Sequence, residues 1–163
     1  MVDQSALVQE LDSLRKKVEL LKDKEQIREL LSRYSFNVDL RRIDNILRLW
    51  TDDCFFVTDA PGHITEVKGK DQFRSFFGNP PQQFRPDPQH LQLDYVVEVN
   101  GDTATAIGYQ VITVPRVGGF IITRCGFRSF SLRRAGGKWL IQQIKSIGMT
   151  NESECQNLIP NEY

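Results

Sequence analysis

The chain is poor in the side chains that do metal and redox chemistry. Its 163 residues include two histidines, His63 and His90, and three cysteines, Cys54, Cys125 and Cys155. There is no HxH, HExxH or paired CxxC spacing, and a transition-metal centre needs several such ligands together, so no bound metal is expected. An odd number of widely spaced cysteines fits a reduced interior better than a disulfide framework. None has an assignable base beside it, which leaves cysteine nucleophilic catalysis with little support. Phosphate loops of the GxGxxG and GxxxxGK[ST] types are missing, as are serine-nucleophile motifs. Neither sign of charge is in excess: 21 basic residues balance 21 acidic ones, mixed along the chain, and no basic face is offered to nucleic acid. No apolar run has the length of a membrane span, and the acidic N-terminus does not read as a secretory signal. A soluble, cytoplasmic protein is the expectation. Proton transfer is the chemistry left, and histidine, aspartate and tyrosine suffice for it without a cofactor.

What is present centres on Lys24–Asp53. Ile27, Leu30, Leu31, Tyr34 and Val38 recur at helical spacing, one apolar stripe with Tyr34 on it. Asp23 and Gln26 have the capping-box spacing and predict the start of this helix. A second stripe, Ile43, Ile46, Leu47 and Trp50, predicts a helix over Arg41–Trp50, so Asp39 falls where the two meet. Upstream, Leu7, Leu11, Leu14, Val18 and Leu21 step by four and three over about two heptads. They read as a leading helix folded back on the domain, or as a dimer zipper. The chain thus divides into a helical extension (1–22), a main unit (23–150) and a polar C-terminal tail (151–163).

After Trp50, Cys54–Thr58 and Ile64–Val67 read as a hairpin around a Pro-Gly turn. Gly69–Phe77 reads as a short helix with Phe73, Phe76 and Phe77 inward. GNPPQQFRPDPQ carries four prolines and reads as a loop. From His90 onward four long strands follow, joined at Asn100-Gly101-Asp102, PRVGG and Ala135-Gly136-Gly137. Helices first and an antiparallel meander last predict an α+β fold. His90 heads the first long strand, sharing its face with Gln92 and Asp94. Alone, His90 reads as a structural hydrogen-bonder, Asp39 as a helix cap and Tyr34 as a core residue.

Together they resemble the SnoaL-like family of the nuclear-transport-factor-2-like fold. The segments carrying the resemblance are LxRYxxxxD (Leu31–Asp39), LWTDDCFF (Leu49–Phe56), VNGDTATA (Val99–Ala106) and RRAGGKWLI (Arg133–Ile141), within roughly Asp23 to Met149. The resemblance implies a conical barrel: a strongly curved, mostly antiparallel sheet, three helices on its concave side, an N-terminal extension helix and an apolar pocket. Members such as scytalone dehydratase and bile-acid 7α-dehydratase use a pocket Asp–His pair with a tyrosine. The matching positions here are Asp39, His90 and Tyr34. Relatives commonly place an arginine on the last strand, where this chain has Ile144 and Lys145.

By the same resemblance Trp50 helps exclude water, and Phe56, Thr58, Gln110, Ile112, Arg124 and Arg128 share the cavity-facing parity. The opposite parity would make both arginines ordinary outward charges. If they face inward, their burial calls for anions or acceptors. The implied ligand is then apolar with an oxygen-bearing edge, as in a polyketide, steroid or terpenoid. The implied activity is a cofactor-independent dehydratase, isomerase or cyclase, assembled as a homodimer or higher oligomer through the outer sheet face. Two other readings stand beside it: a non-catalytic binding protein for a small apolar ligand, and a structural subunit of an oxygenase complex.

Overall fold

The computed structural model describes residues 4–60, 63–79 and 88–149. The Pro-Gly turn, most of the proline-rich segment and the C-terminal tail lie outside them. The elements in order are α1 (Gln4–Asp39), α2 (Ile43–Arg48), β1 (Trp50–Ala60), β2 (His63–Lys68), α3 (Gly69–Gly78), β3 (Gln89–Asn100), β4 (Thr103–Arg116), β5 (Gly119–Ala135) and β6 (Lys138–Gly148). The six strands form one sheet in the order β2-β1-β6-β5-β4-β3. All neighbours are antiparallel except β1 and β6. The α+β prediction therefore holds.

The three helices cover one face of this sheet. Ile27, Leu31 and Tyr34 of α1, Ile46 and Leu47 of α2 and Phe73 of α3 pack with Trp50, Phe56, Phe130, Leu132, Ile141 and Ile144 in a single core. Aromatic rings fill much of it: Tyr34 meets Trp50, Phe77 and Phe130 edge-on at 5.7, 6.5 and 6.3 Å. Such contacts add about 0.5–1.5 kcal/mol each beyond the area they bury.

Two helix boundaries differ from the spacing-based expectation. No break occurs at Asp23, because α1 runs on from Gln4 to Asp39. The Asp23 carboxylate instead accepts hydrogen bonds from Arg134 Nη2 (2.7 Å) and Trp139 Nε1 (3.1 Å) on the sheet. A capping-box spacing placed inside a continuous helix is satisfied by tertiary partners, and the helix passes through it. Residues 4–22 are all exposed and do not fold back on the domain. Trp50, predicted to end α2, is the first residue of β1 and pairs with Ile141.

The α1–α2 corner closes as a Schellman motif: the Arg42 amide donates to the Asn37 carbonyl (2.9 Å) and the Arg41 amide to that of Val38 (3.1 Å). Arg41 takes the left-handed conformation this requires, with φ 53°. The corner fixes the end of α1, and with it Asp39, against the start of β3.

Candidate functional site

Asp39 is the last residue of α1, where the helix dipole is negative and disfavours a carboxylate. Its compensation comes from β3. The His90 backbone amide donates to both carboxylate oxygens, at 3.2 and 3.1 Å, and the His90 ring nitrogen Nδ1 lies 2.7 Å from Oδ1. Asp39 therefore does not cap α2, whose N-cap is Arg42. A carboxylate accepts only, so Nδ1 carries the proton and Nε2 is left as the basic nitrogen. Both side chains are largely buried, 14% exposed for His90 and 20% for Asp39. Burial lowers the His90 pKa below its usual 6.5, and the Asp39 hydrogen bond opposes that shift without cancelling it. The ring is thus held neutral near pH 7, as an acceptor of protons.

Around this pair the concave face of the sheet is unusually polar. Arg128 is 5% exposed. Its hydrogen bond among the described residues runs from Nε to Ser146 Oγ, at 2.9 Å. Burial pulls its pKa down, while Tyr34, Tyr95 and Asp39 act on it in the opposite sense. Tyr34 is pushed up to about 12, by burial first and by Asp39, against the field of Arg128. Tyr95 is raised still further by burial. Both phenols stay protonated at any working pH and serve as donors.

The sheet register explains how an arginine fits here. Gly108, Arg128, Ser146 and Thr58 form one row across β4, β5, β6 and β1. Small neighbours on both sides leave room for the long side chain. In the adjoining row Gln110 faces Gly126, and Gln110 is 1% exposed with neither amide atom partnered among the described residues. Gln92 Nε2, on the residue paired with Gln110, is likewise buried without a partner among the described residues, as are Trp50 Nε1 and Arg124 Nε farther off along the sheet. Buried polar atoms are nearly always hydrogen-bonded, so the Gln92–Gln110 pair is the place where a further donor or acceptor would fit.

Phe56 (6% exposed), Thr58 (7%) and Trp50 (1%) are buried on the helix-covered side. Arg124 faces inward but is neutralised by Asp59, whose carboxylate also accepts the Gly148 amide at 2.9 and 3.1 Å. Residue Tyr95 was not legible. Simple alternation puts it opposite His90, but β3 carries a bulge between Leu93 and Val96, with Asp94 at φ 54°. The bulge turns Asp94 out and Tyr95 in, where its hydroxyl donates to Gln92 Oε1. Gly108 was the available signal. A Cβ there would lie 2.6 Å from the Leu93 carbonyl and 2.8 Å from the Tyr95 ring, and a glycine inside a strand marks such a close approach.

An open cleft of about 550 Å³ lies elsewhere, between α2 and α3, lined by Ile43, Asp71, Arg74, Ser75, Gly78 and Asn79. Asp39, His90 and Tyr34 do not line it. Among the described residues no group of three or more His, Cys, Asp or Glu side chains stands ready to hold a metal. Nor is any helix there long and apolar enough to cross a membrane.

Comparison with known proteins follows the same lines. A similar structure is an NTF2-like protein with a cystatin-like fold from Novosphingobium aromaticivorans, 24% identical over 98% of this chain and 99% of that one, with a TM-score of 0.79. A protein of unknown function from Mycobacterium tuberculosis is 21% identical over 88% of this chain and 83% of its own, with a TM-score of 0.71. A hexachlorocyclohexane dehydrochlorinase, LinA-type3, from Novosphingobium barchaimii is 19% identical over 81% and 90%, with a TM-score of 0.68. At these identities the likeness is one of fold. No curated protein matches. The model of the SnoaL-like domain matches residues 19–145, most of the chain, and the protein belongs to that family.

Proposed function

We propose that this protein is a cofactor-independent lyase or isomerase acting by proton transfer on an apolar, oxygen-bearing substrate of polyketide, steroid or terpenoid character. The observation that carries the proposal is the Asp39–His90 contact, 2.7 Å between groups 51 residues apart, in a largely buried setting. Asp39 fixes the ring and its tautomer, and Nε2 of His90 takes a proton from carbon next to a carbonyl. The electron pair moves to the carbonyl oxygen, which Tyr34 meets as a hydrogen-bond donor and Arg128 as a positive charge. Collapse of the enolate either expels a β-hydroxyl as water, with the proton carried by His90, or returns that proton to another carbon. Elimination, double-bond migration and ring closure share this first step. A positioned base contributes about 10²–10⁴-fold in rate. Trp50, Phe56, Thr58, Gln110 and Arg124 would bound the substrate, apolar on one side and hydrogen-bonding on the other.

A binding-only role is favoured by one feature, the engagement of both Asp39 oxygens by His90. The experiment that separates the two follows the exchange of α-protons for deuterium in D2O by NMR, across a panel of cyclic ketones and hydroxy-ketones. The native protein is expected to exchange at least one of them, and His90→Ala and Asp39→Asn to lose the exchange while keeping the native melting temperature. Undiminished exchange in both variants would overturn the catalytic reading. Tight binding without exchange would leave the protein a carrier.

A further inference from the structure

The first nineteen described residues of α1, 4–22, stand outside the domain, and they are not built to face water all round. Leu7, Leu11, Leu14, Val18 and Leu21 are 47–65% exposed. At about 100° per residue they form one stripe, roughly 150° around the helix from Ile27, Leu31 and Tyr34, the stripe that packs on the sheet. The domain's own core lies on the far side of α1 and cannot cover them. A projecting single helix of this length is marginal in water. Something apolar, straight and of matching length is required.

We infer that the occupant is the same segment of a second copy, running antiparallel. The charges beside the stripe choose this arrangement. With Leu11 and Val18 at heptad positions a, and Leu7, Leu14 and Leu21 at d, the e positions are Val8, Arg15 and Lys22 and the g positions Glu10, Lys17 and Lys24. Arg15 and Lys22 are already tied to Asp12 and Glu19 of their own helix, at 3.5 and 2.9 Å. Glu10 and Lys17 have no ion-pair partner among the described residues. A parallel pair would set g against e, joining Glu10 to Arg15 but Lys17 to Lys22, an attraction offset by a repulsion. An antiparallel pair sets g against g. When Leu11 of one copy faces Leu14 of the other, Leu7 meets Val18 and Gln4 meets Leu21, and Glu10 meets Lys17 twice with no like-charge contact beside them. Sliding one heptad along would put Lys17 against Lys17 and Arg15 against Arg15. The two domains then stand at opposite ends of the pair, about 35 Å apart at Lys24 at 1.5 Å rise per residue. This contact is separate from the outer sheet face and from the Asp39–His90 site, so it stands whether or not the protein is an enzyme.

Sedimentation equilibrium of the full chain over a wide concentration range tests it. The native protein should sediment at twice the mass of Leu14→Glu at the same concentration, because two charges enter the seam and weaken association by about 100-fold or more. Melting of the domain should not change, since Leu14 lies outside the core, while the far-UV helical signal should fall somewhat as the unpaired segment frays. Lys17→Glu should weaken association several-fold, and the double variant Glu10→Lys with Lys17→Glu should restore it. Equal masses for the native chain and Leu14→Glu would overturn the pairing. Tighter association of Lys17→Glu would overturn the antiparallel arrangement, because in a parallel pair that substitution turns the repulsion from Lys22 into an attraction.

Discussion

Asp23 and Asp39 sit on the same helix, and each reaches across to the sheet. Their surroundings are opposite in kind. Asp23 belongs to a closed set of donors and acceptors: Arg134 and Trp139 donate to it, Arg134 also meets Asp102 at 3.1 Å, and its guanidinium lies 4.4 Å from the Trp139 ring. The Arg134 hydrogen bond is the main cause that holds the Asp23 pKa below its usual 3.8. Asp39 is anchored just as firmly through His90. Yet the buried Arg128 and Tyr34 lie within its electrostatic reach, and on the same sheet the buried Gln110 has both amide atoms without a partner among the described residues. A carboxylate that ends in satisfied partners is a fastener; one that ends on a histidine ring leaves the far nitrogen of that ring for the proton transfer we propose.

The contrast breaks most sharply under paired substitution. Asp39→Asn should lower turnover by about 10²–10⁴-fold and shift the melting temperature little, since the amide oxygen still accepts the His90 backbone N–H. Asp23→Asn should leave turnover unchanged. Steady-state kinetics and thermal melts of both variants check this, and equal activity loss in the two would erase the distinction.

The acidity of the two sites gives the next largest effect. Because the His90 pKa is lowered in the folded chain, its neutral form survives below pH 6.5. The rate should hold its plateau past that pH and then fall about tenfold per further unit as the ring charges. The linkage runs the same way for stability. Below pH 6.5 the unfolded chain binds a proton that the native one refuses, so His90 destabilises the fold increasingly until its own lowered pKa is reached. Asp23 acts at lower pH, its contribution present above 3.8 and lost as pH falls through its depressed value. A pH–rate profile beside a pH–stability profile separates the two groups.

Gly108→Ala probes the wall of the site rather than its acid and base. The added methyl meets a backbone carbonyl at 2.6 Å, which a side-chain rotation cannot relieve, and overpacking of this kind costs about 1–3 kcal/mol. Tyr95 must move with it, so a rate loss beyond the stability loss would place that ring in contact with substrate. Smaller again is the stability effect of Asp23→Asn, about 1 kcal/mol, because the ion pair is partly solvated. Chemical denaturation measures both.

How much of this the amino-acid sequence reveals depends on the distance over which each feature is decided. The strands, their hairpin turns and the Phe-rich α3 follow from alternation and turn residues within a few positions. The meeting of Asp39 and His90 was reachable because the family resemblance names both positions. The continuity of α1 through Asp23 was not, since a capping-box spacing looks the same whether or not Arg134 and Trp139, more than a hundred residues on, take the carboxylate. Tyr95 was hidden by a single bulged residue, which reverses every facing downstream of it. Trp50 fits a helical stripe by spacing, and its strand pairing with Ile141 is a long-range fact.

The weakest effect tests the corner that aims Asp39. Arg41 holds φ 53°, a conformation that disfavours residues with a Cβ by about 1–2 kcal/mol, and the helix end cannot close without it because the Arg42 amide must reach the Asn37 carbonyl. Arg41→Gly removes that strain but gives the unfolded chain more freedom, so the net gain should be below about 1 kcal/mol. A melt that rises slightly with unchanged turnover would show that the corner is rigid through hydrogen bonding alone. A fall in turnover would mean that Arg41 itself, and not only the bend it occupies, sets where the carboxylate at the end of α1 meets the histidine.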